Sequence, residues 1–377
     1  MPLQFGGQYP ETGYKVLGGA DLNTLFCKKY SSTEANTSLL LSDGQDLSDV
    51  FEKRHAVGYS SFISTNQGIR VVYPLTSTSI YCGGDNGTLF KWDGSTTTTS
   101  ITTNTAGQSI REIYAISDTN IYIGGLFPTF NNSNSMAYIA KYNGSVFAQV
   151  GSTALNGYVN AMSALDPSNV YIGGNFTNAN IGARISRLNT YSNLFTPLTS
   201  EMSDVSLNNV VSAISALDIS NVYIGGGFTN AGNIGSYITR WDGEKFNKLG
   251  DAVLNGAVGT IHALDPSHVY FTGSFTQYGN NTAYSRIAMW DGTNMTALGN
   301  GLTVENDVRT VYALDEDHVY IGGAFTYIKM WNGRNYITLA GSGSFNLSNT
   351  LSLNMLPTDK STLYFGGGGG GVQKWTT

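Results

Sequence analysis

The 377-residue chain is 41% hydrophobic and 12% aromatic, enough apolar material for a large buried core, which excludes disorder for most of its length. Charged residues make up only 12%, about half the usual share, while glycine supplies 46 residues, a balance suited to many tight turns and short strands. With 20 basic against 26 acidic side chains, the chain lacks the positive footprint that neutralising a phosphate backbone requires, which excludes nucleic acid as a partner.

The chain opens MPLQFGGQYPETGYKVLGG, with no basic region followed by an apolar stretch, and no run of 18 apolar residues follows anywhere. Neither a classical signal peptide nor a transmembrane segment is expected. Residues 1–56 hold 12 charged side chains against 34 in the 321 residues after them, which sets a boundary near residue 56. Within this extension GGADLNTLFCKK from Gly18 and DGQDLSDVFEKR from Asp43 form a short repeat. Its apolar residues at i, i+3 and i+4 predict one helical turn each, with Leu22, Leu25 and Phe26 on one small face and Leu47, Val50 and Phe51 on another. Such faces either pack on the following domain or dock on another protein. The paired segments resemble leader segments of virion structural proteins from large DNA viruses and tailed phages, which implies a tether to capsid proteins. Two cysteines, Cys27 and Cys82, fall in different modules and are expected to be free thiols.

From residue 57 onward the chain repeats. IYCGG from Ile80, IYIGG from Ile121, VYIGG from Val170, Val222 and Val319, VYFTG from Val269 and LYFGG from Leu363 are seven copies of one motif, 41 to 52 residues apart. That period, with short alternating segments rich in Val, Ile, Tyr, Phe and Thr, predicts an all-β, seven-bladed β-propeller of four-stranded blades with a small N-terminal extension. In the sixth unit the strands are DVRTVYAL, HVYIGGAFT, IKMWNG and NYITLA. Asp-Gly or Asn-Gly after the third strand predicts a type I′ hairpin, and DPSN or DPSH between the first two predicts a type I turn with a left-handed Asn or His. Asp166, Asp218, Asp265 and Asp315 recur there as turn-capping groups rather than catalytic carboxylates. The glycine pairs lie inside strands, where they allow blades to approach closely. The periodic aromatics, Phe127, Phe176, Phe228, Phe275 and Phe325 with Trp92, Trp241, Trp290, Trp331 and Trp375, are expected to pack between blades. The chain stops where the seventh unit should turn into its fourth strand, and Val57 to Ser64 has the alternation of the missing strand. The propeller therefore spans 57–377, with 57–64 closing the last blade.

The pattern from Val210 to Gly250 and from Val258 to Gly299 resembles the WDG-type propeller repeats of bacterial surface proteins and of the fungal cortical-polarity marker family, distant relatives of kelch. The resemblance implies a binding or structural module, and it weakens in the first unit, GGDNGTLFKWDG, and in the third, where SRLNT stands in place of the WDG hairpin.

No HExxH motif, Cys/His cluster or EF-hand loop occurs, so neither metal nor cofactor is expected. The candidate ligand residues are Arg70, Arg111 and Arg309, which share one register at the start of the innermost strands, where units three to five carry Asn160, Ser212 and Gly259. They should ring one mouth of the channel as an anion or carboxylate site, with Glu112 and Asp307 as neighbours able to pair with them. Loops between second and third strands are long in units two to five, so that mouth should be a lopsided cup. Tyr278 and Tyr284 in those loops are candidate sugar contacts. The expected function is a non-enzymatic structural or recognition propeller, tethered by its N-terminal segment to a virion or cell surface and contacting other proteins of that assembly. The alternatives are a glycan-binding lectin or a sialidase- or glycosidase-type hydrolase, which would need two converging carboxyl groups.

Overall fold

Val, Ile and Tyr alternating over six to nine residues between Asp, Asn and Gly turns leave each repeat little choice but an antiparallel meander. In the computed structural model, the fourth repeat runs as strands Val211–Asp218, Asn221–Gly226, Ile238–Trp241 and Phe246–Lys248. Seven such four-stranded sheets form, blades 1 to 7 in chain order. Their first strands are Ile69–Thr76, Ser109–Ser117, Val159–Asp166, Val211–Asp218, Val258–Asp265, Val308–Asp315 and Thr350–Leu356. Each touches the first strands of both neighbours, and the series closes from blade 7 back to blade 1, so the sheets stand in a ring around a central channel. The structure describes residues 26–28, 39–41, 60–63, 68–94, 98–102, 108–130, 134–178, 180–198, 207–229, 235–299, 302, 308–324, 328–339, 350–356, 359–368 and 371–376. No helix among them is long and apolar enough to cross a membrane.

The outermost strand of blade 7 is Ser60–Ile63, which pairs antiparallel with the strand Val372–Thr376 through Ser60 with Lys374, Ser61 with Gln373 and Ile63 with Val372. Residues 59–376 make one compact unit. The other unit, essentially residues 1–58, is described only where Phe26–Lys28 pairs with Leu39–Leu41. A strand therefore begins at Phe26, where a helical turn was expected. Leu22, Leu25, Leu47, Val50 and Phe51 lie outside the described residues.

The two glycines of each VYIGG motif do different jobs. A Cβ on the first would meet the next blade: at Gly173 it would lie 2.4 Å from Val211 Cγ1, and at Gly225 2.5 Å from Val258 Cγ1. A Cβ on the second would meet its own blade's backbone, 2.0 Å from the Tyr158 carbonyl oxygen at Gly174 and 2.1 Å from that of Val210 at Gly226. The first glycine thus sets the spacing between blades and the second the approach within one. Around them, tyrosines such as Tyr171, Tyr223 and Tyr320 and the phenylalanines Phe127, Phe176, Phe228 and Phe275 are buried, in apolar clusters that straddle consecutive blades.

The first strand of each sheet is an edge, and its outer backbone groups would be unsatisfied without help. In five of the seven blades a side chain of the preceding blade supplies part of it. Ser163 Oγ accepts from the Ala216 N–H at 3.0 Å, and Ser215 Oγ from the Ala263 N–H at 3.0 Å. The Tyr73 hydroxyl donates to the Ala115 carbonyl at 3.2 Å, and Asn354 Nδ2 to that of Val72 at 3.3 Å. His262 holds the same position in blade 5, hydrogen-bonded to the backbone of Ala313; burial pushes its pKa down to about 4, so it sits in the wall as a neutral ring.

Both turn types differ from expectation. After the third strands, Gly144, Gly243, Gly292 and Gly333 have φ of +79 to +99°, but the preceding Asn143, Asp242, Asp291 and Asn332 are not left-handed. Each instead accepts the N–H groups two and three residues on, as Asp242 Oδ1 does from Glu244 at 3.0 Å and Lys245 at 2.9 Å. The side chain builds the turn, so one glycine suffices where a type I′ hairpin needs two left-handed residues. Between first and second strands, Asn169, Asn221, His268 and His318 are likewise not left-handed. Their side chains reach back to the turn aspartates, for example Asn169 Nδ2 to Asp166 Oδ2 at 2.9 Å and His268 Nδ1 to Asp265 Oδ2 at 2.9 Å. Asp166, Asp218 and Asp265 also accept the N–H two residues on, at 2.6 to 2.7 Å, which is the expected capping role.

Candidate functional site

Every innermost strand carries a β-bulge at one place. Pairing with the second strand slips between Ile69 and Val71 in blade 1, Ile110 and Glu112 in blade 2, Val159 and Ala161 in blade 3, and at the matching place in blades 4 to 7. The residue left over is Arg70, Arg111, Asn160, Ser212, Gly259, Arg309 or Leu351. A bulge re-aims its side chain out of the sheet's alternation, and here it does so seven times at one end of the channel. Arg70, Arg111 and Arg309 therefore share one ring.

Blade 1 and blade 2 draw two of them together. The short connection after the Cys82 strand brings Asp85 against Ser109 at the start of blade 2, where their backbones bridge. Asp85 takes the Arg70 Nε in an ion pair, and both side chains stay more than a third exposed. One blade on, Arg111 Nη1 donates to Asn160 Oδ1 at 2.5 Å, its Nε reaches Ser109 Oγ at 3.5 Å, and its guanidinium lies 5.2 Å from the centre of the Tyr158 ring. Asn160 Nδ2 passes the chain on to the Val211 carbonyl at 3.3 Å. Burial, and after it the charge of Arg70, hold Arg111 below its usual pKa. The expected pairing of Arg111 with Glu112 does not form; its hydrogen-bond partners are polar and neutral. Arg309 is half-buried, and Asp307 lies outside the described residues.

Glu112 is walled in by protein while keeping a little accessible surface, as a group in a narrow channel does. Burial pushes its carboxyl up to about 8, against a weaker opposing pull from the Ile113 backbone. At neutral pH it is protonated, whereas in the unfolded chain it ionises near pH 4 to 5. Unfolding then releases a proton between those limits, so this group makes stability fall as pH rises from about 4.5 to about 8. Glu112→Gln is expected to raise the melting temperature by a few degrees at pH 8 and leave it unchanged at pH 4; equal shifts at both would mean that the carboxyl is not the cause.

Blades 2 to 5 hold a feature at this end of the ring that the sequence hid. Tyr138, Arg184, Tyr237 and Arg286, each one residue before a third strand, have φ of +66 to +70°. Each is pinned by two backbone bonds, as at Arg184, whose N–H donates to the Phe176 carbonyl at 2.8 Å and whose carbonyl accepts from Gly174 at 2.9 Å. A left-handed residue with a large side chain costs on the order of 1 kcal/mol, yet the arc carries four. Arg184 and Arg286 turn Nη1 onto the Asn175 and Ser274 carbonyls, at 2.9 and 3.1 Å. The signal was the register, one residue before each third strand, and not the residue type, since glycine is the usual marker of this conformation. Tyr278 and Tyr284 give their hydroxyls to loop packing, with the Ala252 N–H at 3.1 Å and the Met295 carbonyl at 2.9 Å, and their rings lie 5.4 Å apart. Among the described residues no group of His, Cys, Asp and Glu could hold a metal ion.

Comparison with family models matches residues 90–269, a little under half of the chain, to the Rax2 C-terminal beta propeller domain. This supports a propeller family. Comparison with curated proteins gives no match. Among solved structures, YCF48 bound to D1 peptide is 11% identical with a TM-score of 0.57, covering 85% of this chain and 97% of that one. The WD40 beta propeller domain of Doa1 is 14% identical with a TM-score of 0.54, covering 85% and 97%. The extracellular domain of BT4673 from B. thetaiotaomicron is 13% identical with a TM-score of 0.60, covering 85% of this chain and 40% of that one. At such identities the likeness shows the fold alone.

Proposed function

We propose that this protein is a non-enzymatic recognition propeller whose arginine-bearing mouth binds a carboxylate-rich protein segment. The observation that carries this reading is the charge balance between blades 1 and 2. Two guanidinium groups, Arg70 and Arg111, stand close enough to repel and share one carboxylate, Asp85, while Glu112 is neutral below about pH 8. One positive charge is left over, on a guanidinium already oriented by Asn160 and Tyr158, and a guanidinium fork suits a carboxylate. Arg309 joins from the same ring. YCF48, a propeller of this architecture, is seen with a peptide bound, which suits a protein segment as ligand. Residues 1–56 would tether the ring to a larger assembly, a virion or a cell surface, through Leu22, Leu25, Phe26, Leu47, Val50 and Phe51. A hydrolase would need a second free carboxyl beside Glu112, and Asp85 is engaged with Arg70.

The test is titration of a fluorescent peptide of alternating Asp and Ser. Binding is expected to weaken several-fold between 50 and 200 mM salt, and about tenfold or more in Arg70→Gln with Arg111→Gln. It should also weaken above about pH 8, as Glu112 ionises. An intact protein that ignores the peptide at low salt, or a double variant that binds it equally well, overturns the reading.

A further inference from the structure

Blades 2 to 6 keep one aromatic in common, with one exception. Paired across from the end of the third strand stand Phe147 in blade 2, Phe195 in blade 3, Phe246 in blade 4 and Tyr336 in blade 6, whereas blade 5 has Met295, opposite Trp290. Two of these rings lie against a left-handed glycine that follows the fourth strand of the blade before. A Cβ on Gly151 would stand 2.6 Å from the Phe195 ring, and one on Gly299 4.0 Å from the Tyr336 ring, whose hydroxyl donates to the Leu298 carbonyl at 3.0 Å. The matching glycine before blade 5 is Gly250, with φ of +74°. Beside it, where Met295 replaces the ring, a pocket of about 170 Å³ opens between blades 4 and 5. The Tyr278 hydroxyl enters from the side to accept the Ala252 N–H at 3.1 Å, and space remains next to it.

The pocket suits what the repeat has lost. A cavity of roughly 150 Å³ with aliphatic walls takes a benzene ring and stays dry without one. Here the walls include the buried Ile238, Leu249, Leu254 and Met295. The exposed Lys248 and Asp251 stand at the opening, paired Nζ to Oδ1 at 3.1 Å. Such an exposed pair adds little to the fold and gives up little when a ligand takes over its charges. An α-amino acid carries its ammonium and carboxylate on one carbon, so both can meet Asp251 and Lys248 together while the side chain enters the pocket. We propose that this crevice binds a free aromatic α-amino acid, whose ring takes the place that Phe195 and Tyr336 hold in blades 3 and 6. The site is separate from the arginine-bearing mouth and does not depend on what the mouth binds.

Fluorine NMR of 4-fluorophenylalanine with the full chain tests this. Binding is expected in the millimolar range or tighter, displaced by phenylalanine and not by alanine. N-acetylphenylalanine amide has the ring without either charge and should bind about fivefold more weakly or worse, as should 4-fluorophenylalanine to Lys248→Gln with Asp251→Asn. Both residues are exposed, so that variant should melt with the wild type. Met295→Phe puts the ring back from within: binding should disappear, with a melting temperature no lower than the wild type's. No binding at about 10 mM overturns the proposal. So does equal binding of the N-acetyl amide, which would make the occupant a side chain of another protein, or unchanged binding by the Met295→Phe variant, which would put the ligand elsewhere. A Met295→Phe variant that melts several degrees lower also overturns it, since the space would then not admit a ring.

Discussion

A chain lacking residues 1–56 is expected to fold cooperatively and to melt within a few degrees of the full protein, whereas one lacking residues 1–66 should aggregate on purification. The difference is the strand Ser60–Ile63. Without it, Val372–Thr376 keeps its bonds to the strand Asp359–Gly367 but loses its partners on the other side, at Val372, Gln373 and Lys374. An unpaired edge of this kind templates association with other chains, and the last blade would be left with three strands. Melting curves together with light scattering on both truncations decide the matter. If both melt alike and stay monodisperse, the ring does not depend on this strand and its closure lies elsewhere.

The second large effect concerns the glycine pairs. Gly226→Ala would set a Cβ 2.1 Å from the Val210 carbonyl oxygen, a backbone atom that cannot rotate away, so the first and second strands of blade 4 must part. A loss of about 3 kcal/mol or more is expected. Gly225→Ala meets only side chains, Val258 Cγ1 at 2.5 Å and Ile261 Cδ1 at 3.0 Å, and should cost about 1 to 3 kcal/mol. The two are separable by a second substitution. Val258→Ala removes the atom that Gly225→Ala strikes, so that pair should cost clearly less than the sum of its parts, while Val258→Ala with Gly226→Ala should be additive. Additivity in both double variants, read from denaturant unfolding, would show that the first glycine does not set the spacing between blades.

The blades were legible because their signals are local and repeated: Val-Tyr-Ile-Gly-Gly cannot be a helix, and seven copies make a ring. Arg70, Arg111 and Arg309 were legible for a similar reason, since a fixed offset from that motif places them on one strand end. What surrounds them was not. Asp85 and Ser109 meet through an isolated bridge, and Tyr158 comes to Arg111 only because blade 3 stands beside blade 2. The turns misled in an instructive way. Asp-Gly suits a left-handed pair, but the Asp242 carboxylate can accept two N–H groups itself, and that bond needs no positive φ at its own residue. Conversely, nothing about a tyrosine or an arginine announces that Tyr138 and Arg184 are left-handed.

The side-chain bonds between innermost strands give the ring a sense of rotation. Ser163 serves the backbone of blade 4, Ser215 that of blade 5, Tyr73 that of blade 2 and Asn354 that of blade 1; each reaches forward along the chain order, and across the closure. Dependence therefore travels one way. Damage to one of these side chains leaves its own blade's ladder intact and strips a bond from the blade ahead. A blade that offers such a residue can accordingly tolerate change in it only as far as its successor can, which couples the innermost strands so joined in one direction rather than as equal neighbours.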